Sequence, residues 1–392
     1  MTNLESWIIQ QGLSGTGVAP LLAGFAEGLA AEGIPVARAY LALPTVNPTF
    51  RVYNHVWTRS AGLSVEGVSH ERNNDAFEVS PFGHLLRIGE MKRHWRFDGP
   101  DAEAFAVFED VRQIGGTDYL ARLFSFENAA APDLRGCAAA LSSHRDGGFS
   151  PEEVARIDAV LPLLALAAYR MTLFDLTVGI LDTYVGLSAG RRVLSGEIRR
   201  GLGTTITAAL MFADLRGFSA LADGGGTQLI ERLDRHLEAM ADPVAEQGGE
   251  VLKFMGDGLL AAFPITEEQP SEAACAAAVR AAEAALARND AVNRLYEGET
   301  ALHLDIALHC GDVFYGNIGA AGRLDFTVIG PVVNEASRME ALCRELDCAV
   351  VMSERIADAS PLPVRPLGRQ RLRGIAAERE LFTLASISGA RA

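Results

Sequence analysis

The sequence predicts a mixed α+β and α/β protein, in which a helical connector joins two domains. Three observations indicate this class. Strand-like and helix-like patterns alternate over residues 204–386, and apolar residues recur at helical spacing between Leu166 and Thr183. The length of 392 residues also exceeds the ~100 to 200 residues of one ordinary domain. We therefore expect a first domain over 1–170, a connector over 171–203 and a second domain over 204–386.

The first predicted domain is α+β. Two strand-like runs, 36–43 and 50–59, follow a helical pattern. Near the end of the domain, Ser150 precedes a proline and two glutamates, so it can cap a helix while Glu153 reaches back to complete a capping box. This closing section resembles that of a GAF domain. The resemblance implies a sensor or regulatory domain with a small-molecule ligand, whose identity the sequence does not indicate.

The connector carries an a/d pattern typical of a parallel two-stranded coiled coil. Its apolar positions step alternately by three and four residues, although Gly179 weakens the repeat. A dimerising signalling helix is the interpretation that we favour. The alternative is a single helix that packs on its own domain. The positions are Leu166, Tyr169, Leu173, Leu176, Ile180 and Thr183.

The second predicted domain has a βαββαβ core with additions, as in ferredoxin-like folds. Its patterns indicate a strand, a helix, a hairpin, an alanine-rich helix, a second hairpin that turns at Cys310-Gly311-Asp312, a short strand, a helix and two closing strands. The corresponding ranges are 205–213, 227–246, 250–263, 271–288, 301–318, 325–329, 332–346, 349–353 and 379–385.

Composition excludes some classes of function. The formal net charge of -15 argues against a general nucleic-acid binder, which needs clustered basic residues. Five cysteines without paired spacing fit a reduced compartment. The chain shows no signal peptide, and its most apolar run, 159–169, is shorter than the ~20 residues of a membrane span. We expect a cytoplasmic protein with no membrane span.

Asp214 and Asp257 are candidate ligands for divalent metal ions. Asp214 ends an apolar strand pattern, and Asp257 lies at the tip of the first hairpin, so adjacent strands can bring the two carboxylates together. Backbone N–H groups in the turn Gly217-Phe218-Ser219 can bind phosphate oxygens. The two carboxylates could hold divalent ions against a triphosphate. These ions would also reduce the repulsion between an acidic protein and its negatively charged substrate.

Residues 204–385 resemble the catalytic domain of the class III nucleotidyl cyclases. The resemblance rests on motifs in the right order and spacing: FADLRGFS at 212–219, KFMGDG at 253–258, GDVFYGNIG at 311–319, RLDFTVIG at 323–330 and VNEASRME at 333–340. It implies that Asp214, Asp257 and the Leu215 carbonyl hold two Mg²⁺ or Mn²⁺ ions. It also implies that Asn334 orients the ribose and Arg338 stabilises charge at the α-phosphate, while Arg373 or Arg371 binds the triphosphate.

The resemblance also addresses the choice of base. Lys253 matches the position at which adenylate-type members carry lysine, and this favours ATP over GTP. Thr327 stands where aspartate is commonest; threonine is typical of subclass IIIb, whose members include bicarbonate-responsive adenylate cyclases. A hydroxyl can still accept a hydrogen bond from the adenine amino group. The expected substrate is therefore ATP, with bicarbonate as a possible activator.

In the family, two catalytic domains pack head to tail, and each pocket takes its metal ligands from one chain and its other residues from the partner. The resemblance thus implies an adenylate cyclase that is active as a homodimer and regulated by its first domain. Two alternatives stay open: a guanylate cyclase, and a catalytically weak cyclase-like module for dimerisation or signalling.

Overall fold

The computed structural model describes residues 3–15, 17–47, 49–70, 75–100, 104–126, 136–218, 221, 227–320 and 322–385. The chain divides into two compact units, Met1–Ile180 and Leu181–Ala392. Each unit has its own sheet and its own buried core. The three segments expected from the sequence, with their limits, stay a prediction.

Six strands and five short helices make up most of the first unit. The strands are β1 (Val36–Pro44), β2 (Phe50–Thr58), β3 (Gly62–Ser69), β4 (Lys92–Arg96), β5 (Asp118–Ser125) and β6 (Gly136–Ser143). The helices are α1 (Asn3–Ser14), α2 (Val18–Ala31), α3 (Asp75–Glu78), α4 (Pro81–Ile88) and α5 (Ala106–Gln113). The strands pair antiparallel in the order β3-β2-β1-β6-β5-β4. The α+β class is confirmed for this unit, and its assignment as GAF-like stays a prediction.

The two faces of this sheet bury different side chains. One face packs on aliphatic residues of α1, α2 and the long helix that follows β6. The other face lies under an aromatic cluster that includes Phe82, Trp95, Phe108 and Tyr119. Alternate residues of a strand point to opposite faces, so each central strand contributes to both cores.

A long helix, α6 (Pro151–Val185), begins at the predicted capping box. Ser150 Oγ accepts a hydrogen bond from the backbone N–H of Glu153 at 3.3 Å, and the Glu153 carboxylate accepts one from the Ser150 N–H at 2.8 Å. By length and composition alone α6 could cross a membrane, a test that the core helix of a soluble protein also passes. The expectations of no span and of a cytoplasmic protein stay predictions, as does the dimerising role of this region. A short helix, α7 (Leu187–Leu194), follows.

The second unit has an eight-stranded sheet and helices that cover it. Its strands are β7 (Gly203–Arg216), β8 (Glu250–Met255), β9 (Gly258–Pro264), β10 (His303–Ala320), β11 (Arg323–Ile329), β12 (Val350–Ser353), β13 (Val364–Gln370) and β14 (Arg379–Leu384). The described helices are α8 (Thr227–Glu246), α9 (Ser271–Leu295), α10 (Pro331–Glu345) and α11 (Glu354–Asp358). The sheet order is β13-β14-β12-β10-β7-β9-β8, and β11 pairs with β10. The elements β7, α8, β8, β9, α9 and β10 form the predicted βαββαβ core.

The predicted turn at Cys310-Gly311-Asp312 is wrong. These residues lie inside the single long strand β10, each paired with a residue of β7. Two contacts explain why glycine does not break the strand here. The Thr207 hydroxyl donates to the Asp312 carboxylate across the two strands at 2.5 Å, and Gly311 leaves room for Val332, because an added Cβ would lie 2.7 Å from a methyl of that residue.

An alanine-rich face of α9 lies against the sheet. Its alanines are almost completely buried, in a core that also contains residues of β7, β9 and β10. Short side chains let a helix approach its neighbours closely. This packing holds β7 and β9 at the centre of the unit, and these are the strands that frame the candidate site.

Candidate active site

Asp214 and Asp257 lie together at one end of β7 and β9. Asp214 is directly opposite Gly258 of β9, and Asp257 precedes that glycine in the tight β8–β9 turn, where Gly256 has a φ of 71°. A Cβ on Gly258 would lie 2.7 Å from Asp214 Oδ1 and 2.5 Å from the Ala213 carbonyl oxygen. Only glycine therefore lets the turn approach β7 this closely, and the approach brings the two carboxylates together.

Neither carboxylate of this pair has a hydrogen-bond or ion-pair partner within the described ranges. Burial, together with the negative charges of Asp257 and Asp305, raises the pKa of Asp214 to about 6, although Arg344 opposes this shift. A half-buried carboxylate whose pKa is raised by a second carboxylate beside it is a group that a divalent cation would stabilise. In the part of the chain that the structure describes, no group of three acidic, histidine or cysteine side chains forms a metal cluster. The predicted ligand set, however, uses two carboxylates and the Leu215 carbonyl.

Two more acids lie close to this pair, and the sequence analysis missed both. Asp305, on β10 directly opposite Asp214, is almost completely buried and pairs with Arg216 at 2.9 Å and 2.5 Å. Burial, together with the negative charges of Asp214 and Asp305, raises the pKa of Glu340 on α10 to about 7. A sequence signal was available for Asp305, because a charged residue inside an apolar strand pattern needs a partner. Nothing in the spacing of Glu340 distinguished it from an ordinary helix-surface acid.

The turn after β7 is partly described. Gly217 is exposed and has a φ of 91°, in the left-handed region that favours glycine. Phe218 packs its ring against the core of the second unit, so only its backbone can face a ligand. Ser219 lies outside the described residues. The side chain of Leu215 is buried in the same core.

Lys253 and Thr327 lie on the neighbouring strands β8 and β11. Lys253 Nζ donates to Asp325 Oδ2 at 3.0 Å, and both side chains are about half exposed. Thr327 is two residues beyond Asp325 on β11 and therefore projects from the same face of that strand. The structure thus brings Lys253 to the strand face that carries Thr327. Asp325, which the sequence analysis did not single out, connects them.

Asn334 and Arg338 lie one helical turn apart near the start of α10. Asn334 is exposed and Arg338 is half-buried. Both guanidinium Nη atoms of Arg338 would lie 3.7 Å from a Cβ built on Gly374. The structure therefore places Arg338 beside the β13–β14 loop, which contains the exposed Arg371 and Arg373.

The start of α10 is fixed by ion pairs. Glu335 accepts from Arg379 of β14 at 3.1 Å on each carboxylate oxygen, and His309 Nε2 of β10 lies 3.4 Å from the same carboxylate. Burial lowers the pKa of His309. Through Glu335, the residue next to Asn334, these contacts connect the helix to β14 and β10. They therefore fix the backbone position from which the Asn334 side chain projects.

The two groups of candidate residues use different faces of α10. Glu340 faces the Asp214 region, while Arg338 precedes it by two residues, which is about 200° around a helix. Asn334 lies about 40° from Arg338, on the same side. Within one chain, the face of α10 that carries Asn334 and Arg338 is therefore turned away from the face that Glu340 presents to the Asp214 region.

Comparison with known proteins shows which family the second unit resembles. Residues 204–377 match the family model of the adenylate and guanylate cyclase catalytic domain. An adenylate cyclase of Anabaena cylindrica is 29% identical over 164 residues, which are 41% of this chain and 32% of that protein. Adenylate cyclase 2 of Rhizobium meliloti is 28% identical over 229 residues, 56% of this chain and 61% of that protein.

Two solved structures are similar to parts of this chain. A bacterial light-regulated adenylyl cyclase superposes with a TM-score of 0.49 at 18% identity, over 69% of this chain and 86% of that one. The adenylyl cyclase of P. aeruginosa superposes with a TM-score of 0.43 at 23% identity, over 47% and 96%. The present chain spans about a third to three fifths of the two curated relatives. Its residues 204–377 are therefore similar to a class III nucleotidyl cyclase catalytic domain.

Proposed function

We propose that the chain is an adenylate cyclase, which converts ATP to 3′,5′-cyclic AMP and pyrophosphate at sites shared by two head-to-tail copies. The family of residues 204–377 and the relatives named adenylate cyclases support the reaction. The observation that carries the shared site is the orientation of α10. Its Asn334–Arg338 face is turned away from the face that Glu340 presents to the Asp214 region of the same chain, so one pocket needs residues from two chains.

Asp214, Asp257 and the Leu215 carbonyl would hold two Mg²⁺ or Mn²⁺ ions. When bound, such ions lower the pKa of the ribose 3′-hydroxyl and neutralise the triphosphate. The chain's own contribution is a pair of carboxylates without competing cations, held together by the close approach at Gly258. Backbone N–H groups of Gly217 and Phe218 would bind phosphate oxygens, and the same role is proposed for Ser219 from its place in the motif.

The base would bind between β8 and β11. Lys253 donates hydrogen bonds, which suits the N1 acceptor of adenine, and the Thr327 hydroxyl can accept from the N6 amino group. The Lys253–Asp325 contact supports this role, because the carboxylate positions the ammonium group beside the Thr327 strand. Guanine presents a donor at N1 and an acceptor at position 6, and it would meet the wrong partner at both positions.

Asn334 would orient the ribose, and Arg338 would bind the α-phosphate where negative charge develops. Arg373 would bind the outer phosphates from the adjoining loop. Neither Arg338 nor Arg373 has an ion-pair partner among the residues that the structure describes, so both guanidinium groups are available to a triphosphate. Their planar N–H groups suit phosphate oxygens.

Complementation between two inactive variants tests the shared site. Asp257→Ala removes a metal ligand and Asn334→Ala removes a ribose contact, so each homodimer should be inactive. Mixing them should restore one intact pocket per heterodimer, or about a quarter of the wild-type activity for random pairing. The matched control mixes Asp257→Ala with Asp214→Ala, which damage the same pocket half and should not complement each other.

The measured product separates the remaining alternatives. Cyclic AMP from ATP, with much slower turnover of GTP, is the expected result. A preference for GTP would refute the base assignment and indicate a guanylate cyclase. Turnover of neither nucleotide with Mg²⁺ or Mn²⁺ would indicate a cyclase-like module for dimerisation. Complementation failure with proven heterodimers would refute only the shared site.

Regulation by the first unit is a further part of the proposal. Removing residues 1–170 should change the rate of cyclic AMP formation while residues 204–386 keep their fold, since the second unit has its own core. Bicarbonate should raise activity if Thr327 reflects the regulatory behaviour of subclass IIIb. An unchanged rate after truncation would restrict the first unit to another role, such as dimerisation.

A further inference from the structure

The aromatic face of the first unit's sheet contains two buried polar groups without partners. Arg38 and Ser142 are directly opposite each other on β1 and β6. Arg38 Nη1 and Ser142 Oγ are both shielded from solvent, and neither has a hydrogen-bond partner in the described part of the chain. Ser142 as a whole is completely buried.

Strand alternation places both groups under the aromatic cluster. On β1, Arg38 is two residues from Tyr40 and projects from the same face of the strand. Its guanidinium carbon lies 5.0 Å from the centre of the Tyr40 ring. On β6, Ser142 has the same parity as Ala138 and Ala140, which belong to that cluster. Arg38 also faces the hydroxyl of Tyr119, which is almost completely buried.

Arg38 forms no direct ion pair in the described residues, and a charge of opposite sign on this face, Glu66 on β3, acts on the same Tyr40. A guanidinium group stays protonated in a protein, and no carboxylate among the described residues forms an ion pair with Arg38. Leaving a buried charged donor without an acceptor is costly, and so is leaving a buried hydroxyl unpaired. Both would be satisfied by one ligand with two acceptor oxygens.

The surroundings indicate what kind of ligand this is. On this face of the sheet, the side chains near Arg38 and Ser142 include the small apolar residues Ala121, Ala138 and Ala140. Aromatic rings lie around them, with Phe82 stacked on Tyr40 at 5.7 Å and tilted against Tyr119 at 6.4 Å.

Two other arginines lie over rings of this cluster, Arg93 over Trp95 and Arg112 over Phe97. In the described part of the chain, Arg38 Nη1 is the inward guanidinium donor of this face that has no acceptor. One such donor in largely apolar surroundings suits a monoanion with an apolar body better than a multiply charged one.

We infer that the first unit binds a small monocarboxylate, whose oxygens accept hydrogen bonds from Arg38 Nη1 and Ser142 Oγ while its apolar body contacts the aromatic cluster. The guanidinium fork and the serine hydroxyl supply two donors on neighbouring strands for the two oxygens. The site lies wholly within the first unit and is independent of the cyclase reaction.

Isothermal titration of the full chain with benzoate tests the inference. Benzoate should bind at millimolar or lower concentration, and neutral benzamide, which has nearly the same shape, should bind at least about ten-fold more weakly, because it lacks the charge. Acetate should bind more weakly than benzoate, because it lacks the ring. Binding of benzoate no tighter than benzamide would overturn the inference, as would phosphate binding through Arg38 in preference to either carboxylate.

Variants locate the binding. Arg38→Gln should weaken benzoate binding by about ten- to a hundred-fold and Ser142→Ala by about three- to ten-fold, since each removes one donor. Arg51→Gln, on the neighbouring strand β2, is the matched control and should leave affinity unchanged. If Arg38→Gln fails to fold, Ser142→Ala decides the question alone, because it removes only a hydroxyl. Unchanged affinity in a folded Arg38→Gln or Ser142→Ala chain would refute the site.

Discussion

Replacing Asp214 by asparagine should stabilise the metal-free protein while it abolishes activity. The carboxylate is half-buried beside Asp257 and near Asp305, and these features raise its pKa from 3.8 to about 6. Asparagine has nearly the same shape but no charge. The variant therefore removes the repulsion that two metal ligands create when no cation is present.

The size and sign of the effect follow from that pKa. A raised carboxyl pKa means that the native state holds its proton more tightly than the unfolded chain, so the wild type loses stability as pH rises from about 4 to 6. A shift of about two units corresponds to at most about 3 kcal/mol. Solvent screening of a half-exposed group reduces this, and we expect Asp214→Asn to gain about 1 kcal/mol above pH 6 and nothing near pH 4.

The chain offers separate reporters for its two units. All three tryptophans, Trp7, Trp57 and Trp95, belong to the first unit, so their fluorescence follows that unit alone. Four buried cysteines belong to the second unit. In a Cys137→Ala background, which removes the buried thiol of the first unit, their reaction with a thiol reagent during urea unfolding follows the unit that carries Asp214. The four are Cys275, Cys310, Cys343 and Cys348.

Wild type and Asp214→Asn are compared without metal at about pH 8 and again near pH 4, where the two should be equally stable. With EDTA at about pH 8, Asp214→Asn should shift the thiol-reported midpoint upward and leave the fluorescence midpoint unchanged. Excess Mg²⁺ should reverse the order, because only the wild type gains from binding. Asp290→Asn, at an exposed position on α9, controls for loss of one charge. A metal-free variant less stable than wild type at this pH would refute the account of repulsion between the two carboxylates.

Three further predictions concern the same unit. Gly258→Ala should destabilise it by about 1 to 3 kcal/mol, measured by thiol reaction, because its Cβ would lie 2.5 Å from a β7 carbonyl oxygen, whereas Gly322→Ala should be tolerated. Asp325→Asn should change stability by less than about 1 kcal/mol but raise the KM for ATP several-fold, because Lys253 loses its positioning partner; an unchanged KM would contradict that role. Mn²⁺ affinity, measured by calorimetry, should fall about ten-fold per pH unit below about pH 6, because Asp214 must lose its proton to bind; a flat profile would contradict this.

The sequence predicted the elements with strong periodicity and missed those with weak patterns. The βαββαβ core and the capping box at Ser150 are confirmed. Both could be predicted because hydrophobic periodicity and helix capping depend on residues that are close together in the sequence. Strands β3, β4 and β5 were not predicted. Strand β3 is exposed over most of its length, so no apolar alternation distinguishes it from a loop.

The turn predicted at Gly311 failed for a tertiary reason. A glycine between polar residues is a turn signal, but the pairing of β10 with β7 continues on both sides of it. At the site, motifs located Asp214 and Asp257. Glu340 and Asp325 could be found only in the folded structure, because their significance lies in their neighbours. Asp305 could be noticed as a charge inside an apolar strand pattern, but its position beside Asp214 needed the pairing of β7 with β10.

The distribution of charge in the second unit gives a reason for a site made from two chains. If Arg338 shared a helix face with Glu340, it would lie near Asp214 and pair with the carboxylates that are to hold cations. The helix instead turns Arg338 away, toward the loop that contains Arg373, and leaves both arginines without ion-pair partners among the described residues. Each chain therefore keeps an unneutralised acidic half and an unneutralised basic half. A second copy can bring the two halves together around a metal–nucleotide complex, which supplies the opposite charge that each half lacks.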